Sequence, residues 1–323
     1  MTHANLSDFS AVLLELYRCA HEQPLDEFQE SALELVRPLV PFDKSMWGTA
    51  TMRPTGVDIH TVHLHRTSQE MLDAYEQVKH EDTAAAAAAT GSGTTVSVHS
   101  PIVNGGTELG EFTRRFMHQN VFISVDVNPE TNFVHWISLF RSDIDAHCKE
   151  DERQRLALLQ PHLKQALSMN RRKHLELLAP TIGELRQGRA VADLRGLIYD
   201  ADPQFKELLR DEWPHSDGTT LPATLLESFS RGEEHVSGRW VIVRGHVAHR
   251  LLFLQARQRC RADSLTARER SIAKLIAKGE THKEIARRLA RAPATVRNQI
   301  QTIYTKLDVG NIAGLIDAMR PID

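Results

Sequence analysis

The sequence predicts an α+β fold, a body of antiparallel sheet and helices followed by an all-α end. Three observations predict it. Residues 45–65 and 121–141 each read as a pair of strands joined by turn chemistry. Helical 3.6-residue periodicity precedes, separates and follows these pairs. The final stretch holds four short helical segments with capping signals and no strand pattern. The chain has 323 residues, enough for two or three domains at roughly 100–200 residues each. Its net charge of -3 hides a division. Residues 261–323 carry 12 Lys/Arg against 7 Asp/Glu, a net of +5, while residues 1–260 carry a net of -8. A basic end on an acidic body directs attention to that end.

Taken in order, Phe9, Val12, Leu13, Leu16, Tyr17 and Ala20 form one apolar helix face. Leu25, Phe28, Ala32, Leu35, Val36 and Leu39 form another, ended by Pro38 and Pro41. Residues 45–52 and 57–65 read as a hairpin around the turn residues 53–56. Ser68 caps a helix with Met71, Leu72, Tyr75 and Val78 inward. The alanine run 84–89 suits either a short helix or a small-residue loop, and Gly91, Ser92 and Gly93 break it. Leu109, Phe112 and Phe116 mark a further helix. Residues 121–127 and 133–141 form the second strand pair around 128–131. A long helix over 150–178 carries Leu156, Leu159, Leu163 and Leu167 near a heptad seam. That seam suits packing within the body or a dimer or signalling helix, and Pro161 is expected to kink it. In element order, though not in any residue motif, residues 1–178 resemble GAF/PAS-like sensor domains.

Residues 181–256 read as a second small α+β region, PAS-like in the same loose sense. A strand is expected over 194–199, helices over 203–210 and 222–230, and a hairpin of 236–244 with 247–255 around Gly245-His246. No internal repeat is visible. Residues 257–263 read as a linker, and 264–323 as a separate helical domain.

In that last domain Thr266 with Glu269, and Thr281 with Glu284, have capping-box spacing. Ile272, Leu275 and Ile276 make the inner face of a first helix, which Gly279 can stop. Ile285, Ala286 and Leu289 face inward from a second. Pro293 suits the first turn of a third helix, with Val296, Ile300, Ile303 and Leu307 inward. Asn311 can cap a fourth, with Ile312, Leu315, Ile316 and Met319. Two helices joined by a tight turn make a helix-turn-helix pattern. The outward face of the third helix carries Thr295, Arg297, Asn298 and Gln301, and Arg, Asn and Gln can bind base edges bidentately.

The segment SLTARERSIAKLIAKGETHKEIARRLARAPATVRNQIQTIYTKLDVGNIAGLI resembles the LuxR/NarL-type helix-turn-helix domain. The matching residues are Leu265-Thr266, Arg268-Glu269, Gly279, Lys283-Glu284-Ile285-Ala286, Leu289, Thr295-Val296, Tyr304, Lys306-Leu307, Val309 and Asn311. The resemblance implies a four-helix domain whose third helix lies in the major groove of double-stranded DNA. It implies Arg297, Asn298 and Gln301 as base readers and Lys283, Thr295 and Lys306 as phosphate contacts. It also implies a homodimer, with Ile312, Leu315, Ile316 and Met319 of the fourth helix as candidate contacts. RNA polymerase is a further candidate partner. Three positions depart from the family pattern. Ala292 replaces the usual capping Ser before Pro293, Arg291 stands where an aliphatic is common, and Gln299 where a His is common.

Other classes are disfavoured. No acidic strand end suggests a phosphorylated receiver, and no Walker-type GxxxxGK loop suggests an ATP-binding regulator. Acyl-homoserine-lactone receptors of the family have a shorter sensing domain and a Trp/Tyr/Asp set that Trp47, Tyr75 and Trp136 do not reproduce. A different small-molecule ligand or a protein partner is therefore expected. Trp47, Tyr75, Phe122, Phe133 and Trp136 are the candidate ligand-binding residues, on the ground that aromatics with polar tips line pockets. No apolar run approaches the ~18–20 residues of a membrane span, so no membrane partner is expected. The start lacks a signal-peptide pattern. Cys19, Cys148 and Cys260 are too far apart for a disulfide framework, which points to the cytoplasm. His60, His63 and His65 cluster on one strand, but no Cys or carboxylate has motif spacing nearby. No metal, cofactor or catalytic residue is assigned. The expected function is a signal- or ligand-responsive transcriptional regulator and not an enzyme. The alternatives are an enzymatic body, or a sigma-factor-like initiation protein.

Overall fold

A computed structural model describes residues 3–53, 56–89, 91, 93–129, 132–178 and 185–319. The turn residues Pro54, Thr55, Ser92, Glu130 and Thr131 lie outside them, as do residues 181–184 and 320–323. Packing divides the chain into two units, Met1–His174 and Leu175–Asp323.

The first unit opens with helices α1 (His3–Glu22) and α2 (Phe28–Val36). The hairpin of β1 (Lys44–Arg53) and β2 (Gly56–His65) follows. Next come α3 (Gln69–Val78), a 3-10 turn, α4 (Thr83–Ala88), β3 (Thr94–His99), α5 (Ser100–Val103) and α6 (Glu108–Arg115). Strands β4 (Asn120–Val127) and β5 (Phe133–Arg141) precede the long helix α7 (Glu150–Leu178). The strands pair antiparallel in the order β2-β1-β5-β4-β3. Both predicted strand pairs are present, and β3 is an edge strand that the sequence reading lacks. The alanine run is helical, started by the Asp82 carboxylate, which accepts from Ala85 N at 2.8 Å.

Successive strand residues point to opposite faces, and here both faces are apolar. Trp47, Phe122, Ile137 and Leu139 pack with Leu16, Phe28, Leu33 and Val36 of α1 and α2. Leu156, Leu159, Leu163 and Leu167 of α7 are buried in this same layer, so the seam serves packing within the unit. The helix continues through Pro161. On the other face Met46, Val121, Ile123, Val125 and Phe140 pack with Met71, Leu72, Leu109 and Phe112 of α3 and α6. A buried ion pair, Arg141 with Glu152 at 3.0 Å, ties the end of β5 to the start of α7. The Arg141 guanidinium also donates to Pro41 O at 2.7 Å and His147 O at 2.8 Å.

The second unit contains β6 (Gln187–Asp193), β7 (Ile198–Ala201), α8 (Pro203–Glu212), α9 (Ala223–Ser230), β8 (His235–Ser237), β9 (Val241–Ala248) and β10 (Leu251–Gln258). Its order, β7-β6-β10-β9-β8, repeats that of the first sheet, so the chain holds a duplicated topology with no visible sequence repeat. Two sequence expectations are corrected here. The strand expected over 194–199 starts later: residues 194–196 form a turn, with Asp193 Oδ1 accepting from Arg195 N and Leu197 N at 2.9 and 2.8 Å, and β7 begins at Ile198. The hairpin turns at His249-Arg250, not at Gly245-His246. His249 and Arg250 have φ of 49° and 64°, the left-handed pair that a tight two-residue turn demands. Gly245 lies inside β9, opposite Leu254. It is glycine because the Phe229 ring covers it. A Cβ there would sit 2.6 Å from that ring.

The unit continues through a 3-10 turn (Arg261–Ser264) into α10 (Ala267–Ala277), α11 (His282–Arg288), α12 (Pro293–Leu307) and α13 (Ile312–Met319). The segment read as a linker is ordered. Arg257 grips both Asp263 oxygens, at 2.7 and 2.5 Å, and Cys260 N donates to the same carboxylate at 2.9 Å.

Two variants should move stability in opposite directions. Gly245→Ala forces the ring and strand apart and should destabilise by about 1–3 kcal/mol. His249→Asn with Arg250→Gly suits the left-handed turn and should stabilise by about 0.5–1 kcal/mol. Urea denaturation of the full chain reads both.

Candidate DNA-binding surface and ligand cavity

The first unit holds a partly open cavity of about 250 Å³ between its sheet and the α3–α6 layer. Met46, Val121, Ile123, Val125, Val134 and Trp136 line it from the strands. Ala84, Ala85, Ala86 and Ala89 line it from the alanine helix and its end, where small side chains leave space. Gly48 pairs with Trp136 across β1 and β5. A Cβ at Gly48 would come within 3.0 Å of the indole.

The polar residues in this wall are Tyr75, Lys79, His80, Asp82, Ser100, Asn104, Thr113, His118 and Ser138. Tyr75 Oη donates to Asp82 Oδ2 at 3.0 Å, and burial pushes the phenol well up from its usual range. His118 stacks on Phe140 with ring centroids 3.8 Å apart. His118 Nε2 and Ser100 Oγ are buried and make no hydrogen bond in the fold. Leaving a buried polar atom unsatisfied costs roughly 1–3 kcal/mol, so both atoms have capacity for a further hydrogen-bond partner. Burial, reinforced by the Lys44 charge, pushes the His118 imidazole down to about 3. The ring is neutral at ordinary pH, and Nε2 can accept or donate a single hydrogen bond.

Of the five aromatic candidates, Tyr75 and Trp136 line the cavity. Trp47 and Phe122 lie on the opposite face of the sheet, in the α1–α2–α7 core. Phe133 stacks on His60 at the start of β5, and the cavity wall does not include it. The sequence reading missed His118 and Ser100. A lone histidine after α6 and a serine opening a one-turn helix carry no pattern that marks them. The cysteines are free, and burial pushes the Cys148 thiol up to about 11. It is protonated at neutral pH and a poor nucleophile.

The helical end of the second unit is built on two capping boxes. Thr266 N donates to Glu269 at 2.8 Å, Thr281 N donates to Glu284 at 2.7 Å, and each threonine oxygen accepts from the glutamate N–H. Ile272, Ala273, Ile276, Ile285, Ala286, Val296, Ile303 and Leu307 form its core. The third helix of this set, α12, begins at Ala292 with no side-chain cap, as the missing Ser implies. Thr295, Arg297, Asn298 and Gln301 all stand exposed on its outer side. Arg297 reaches within 3.5 Å of His282 Nε2. Lys283 is exposed at the start of α11. Lys306 is engaged within the fold, where its Nζ donates to Glu269 at 2.8 Å. That contact, with the capping hydrogen bonds, holds the Glu269 carboxyl below its usual range. On α13, Leu315 and Met319 are buried in the domain's own core. Ile312 and Ile316 are 50% and 40% exposed.

A tight helix pair, a following helix with Arg, Asn and Gln side chains outward, and a fourth helix closing the core define a helix-turn-helix domain. Residues 263–319 match the family described as bacterial regulatory proteins, luxR family, and that segment is a luxR-family domain. No curated protein matches the chain. Among solved structures the chain is similar to Escherichia coli SdiA, at 12% identity over 96% of each chain with a TM-score of 0.39. It is also similar to CepR2 of Burkholderia cenocepacia, described as an N-acylhomoserine lactone dependent LuxR family transcription factor. There the identity is 13% over 50% of this chain and 94% of that one, with a TM-score of 0.38. The Vibrio cholerae VqmA dimer matches at 15% identity over 46% and 86%, with a TM-score of 0.17. Among the described residues, no helix is long and apolar enough to cross a membrane.

His118 makes stability depend on pH. Its folded value is about 3 against 6.5 for the free group, so the unfolded chain takes up the proton first. Its contribution is complete above about pH 6.5. It falls as the pH drops toward 3, by up to about 1.4 kcal/mol per pH unit. His118→Phe should flatten this slope in urea denaturation between about pH 7 and 5.

Proposed function

We propose that the chain is a ligand-responsive transcriptional regulator that binds double-stranded DNA as a homodimer. The observation that carries this is the luxR-family domain with Arg297, Asn298 and Gln301 exposed together on one helix. In this reading α12 lies in the major groove and these three residues read base edges. Lys283 and Thr295 contact phosphate, and Ile312 and Ile316 offer the dimer contact on α13. Lys306 positions α12 through Glu269, with phosphate contact as its second role. Residues 1–178 act as the sensor and residues 181–256 as a second sensor-like module. The shared strand order of the two sheets supports a common GAF/PAS-like origin for both. The ligand is a largely apolar molecule with one polar group that pairs with His118 and Ser100. Its binding shifts the population toward the dimer geometry that places two recognition helices one DNA turn apart. The site chemistry favours no turnover, and DNA as partner implies work in the cytoplasm.

Fluorescence anisotropy against genomic fragments tests the DNA reading. Arg297→Ala should cost roughly 1–3 kcal/mol and relax selectivity at one base position. Lys283→Ala should weaken binding to all sequences alike and lower the salt slope by about 1. An Arg297→Ala protein as tight and as selective as wild type would overturn the assignment of α12.

A thermal-shift screen of apolar compounds bearing a hydrogen-bonding head tests the sensor reading, since a specific ligand raises the melting temperature. His118→Phe should weaken any hit by roughly 5- to 100-fold, the range expected for one lost buried hydrogen bond. Hits that bind His118→Phe equally well place the ligand elsewhere.

A further inference from the structure

The fold brings together four side chains that the sequence keeps apart. Glu30 and Glu34 stand one turn apart on α2, and His63 and His65 share one face of the edge strand β2. Glu30 Oε1 lies 2.9 Å from His65 Nδ1, Glu30 Oε2 lies 3.0 Å from His63 Nε2, and Glu34 Oε1 lies 3.7 Å from His65 Nε2. Ligand-type atoms of Glu30, Glu34 and His65 all fall within 4.8 Å of one another.

His65 is the telling member. Its side chain has no exposed surface, and its ring packs edge-on against Phe42. Neither ring nitrogen makes an aligned hydrogen bond, although both are buried and both face a carboxylate. Glu30 and Glu34 keep 48% and 42% of their side-chain surface, so the cluster opens to solvent on the carboxylate side.

We propose that Glu30, His63 and His65, with Glu34 as the outer ligand, form a binding site for a divalent cation of the zinc class. Two imidazoles and carboxylate oxygens suit zinc or cobalt, whereas calcium and magnesium call for more oxygen ligands. Arg37 and Arg66 already pair with Glu34, at 3.0 and 2.7 Å. This places Glu34 at the rim and makes Glu30 the anchoring carboxylate. Metal–ligand bonds of ~2.0–2.2 Å require the cluster to contract, which the partly exposed glutamate side chains allow. Such an ion would join α2 to the edge of the sheet. No single stretch of sequence shows the site, because its carboxylates lie about 30 residues before its histidines.

The test uses the full chain after dialysis against a chelator, titrated with Zn²⁺ and Co²⁺. Saturable binding of one equivalent is expected, with a four- or five-coordinate cobalt spectrum that lacks a thiolate charge-transfer band. Glu30→Gln and His63→Ala should each weaken binding roughly tenfold or more, with far-UV circular dichroism unchanged. Replacing the three cysteines by serine should leave the affinity as it was. The proposal is overturned if no equivalent binds, if the thiolate band appears, or if Glu30→Gln and His63→Ala bind as wild type does.

Discussion

The sheet of the first unit is apolar on both faces, and the rest of that unit follows from this constraint. A sheet with one wet face needs one helical layer, and this one needs two. The first layer is filled by large side chains. Phe28, Leu33 and Trp47 meet the leucine row of α7, and the seam that could have met a partner helix is used up inside the fold. The second layer is unevenly filled. Phe112 and Met71 are large, but α4 offers only methyl groups where it faces the sheet. Close packing leaves few voids larger than water in most interiors. A run of alanines over a fully apolar sheet face is therefore a way to make one.

This also explains how much of the cavity was legible. The strand pairs, the capped helices and the aromatic residues could all be read from periodicity and turn chemistry. The face could not. When both faces are apolar, Met46 and Trp47 look equally inward, and only their register against β5 and the covering helices separates them. Hence Tyr75 and Trp136 meet the cavity while Trp47 and Phe122 pack behind it. Strands β3 and β6 lacked a signal for another reason. Thr94–His99 is a short edge strand rich in small polar residues, and Gln187–Asp193 mixes Gly, Arg, Gln and Asp, so neither alternates strongly. In the second sheet, Gly245 looked like a turn residue, but its missing Cβ accommodates Phe229 inside the strand.

The helical end was legible almost residue by residue because its determinants are local. Capping boxes need only residues three apart, and the inner face of each helix follows a single period. What local reading could not supply was the double engagement of the charged residues. Glu269 accepts from its own cap and from Lys306 of α12, so one carboxylate fixes the start of one helix and the end of another. Arg257 does the same for the segment that enters the domain, since Asp263 satisfies both the guanidinium and Cys260 N.

Those ion pairs change the meaning of the +5 charge at this end. Lys306 is held by Glu269, Arg288 pairs with Glu280 at 3.0 Å, and Arg261 pairs with Asp308 at 2.7 Å. Among the described residues, Arg268, Lys278, Lys283, Arg287, Arg291 and Arg297 are exposed and have no ion-pair partner. The cations free to meet phosphate are thus fewer than composition suggests, and Lys283, Arg287 and Arg291 lie around α11 and the turn before the helix that carries Arg297, Asn298 and Gln301. Affinity for bare backbone scales with the number of phosphates neutralised, and the body contributes a net of -8 that opposes it. In the proposed reading, a small domain with part of its charge already paired, attached to an acidic body, holds generic DNA weakly. Stable residence would then depend on base contacts and on pairing two such domains, which would make dimer geometry an effective variable for a ligand to control.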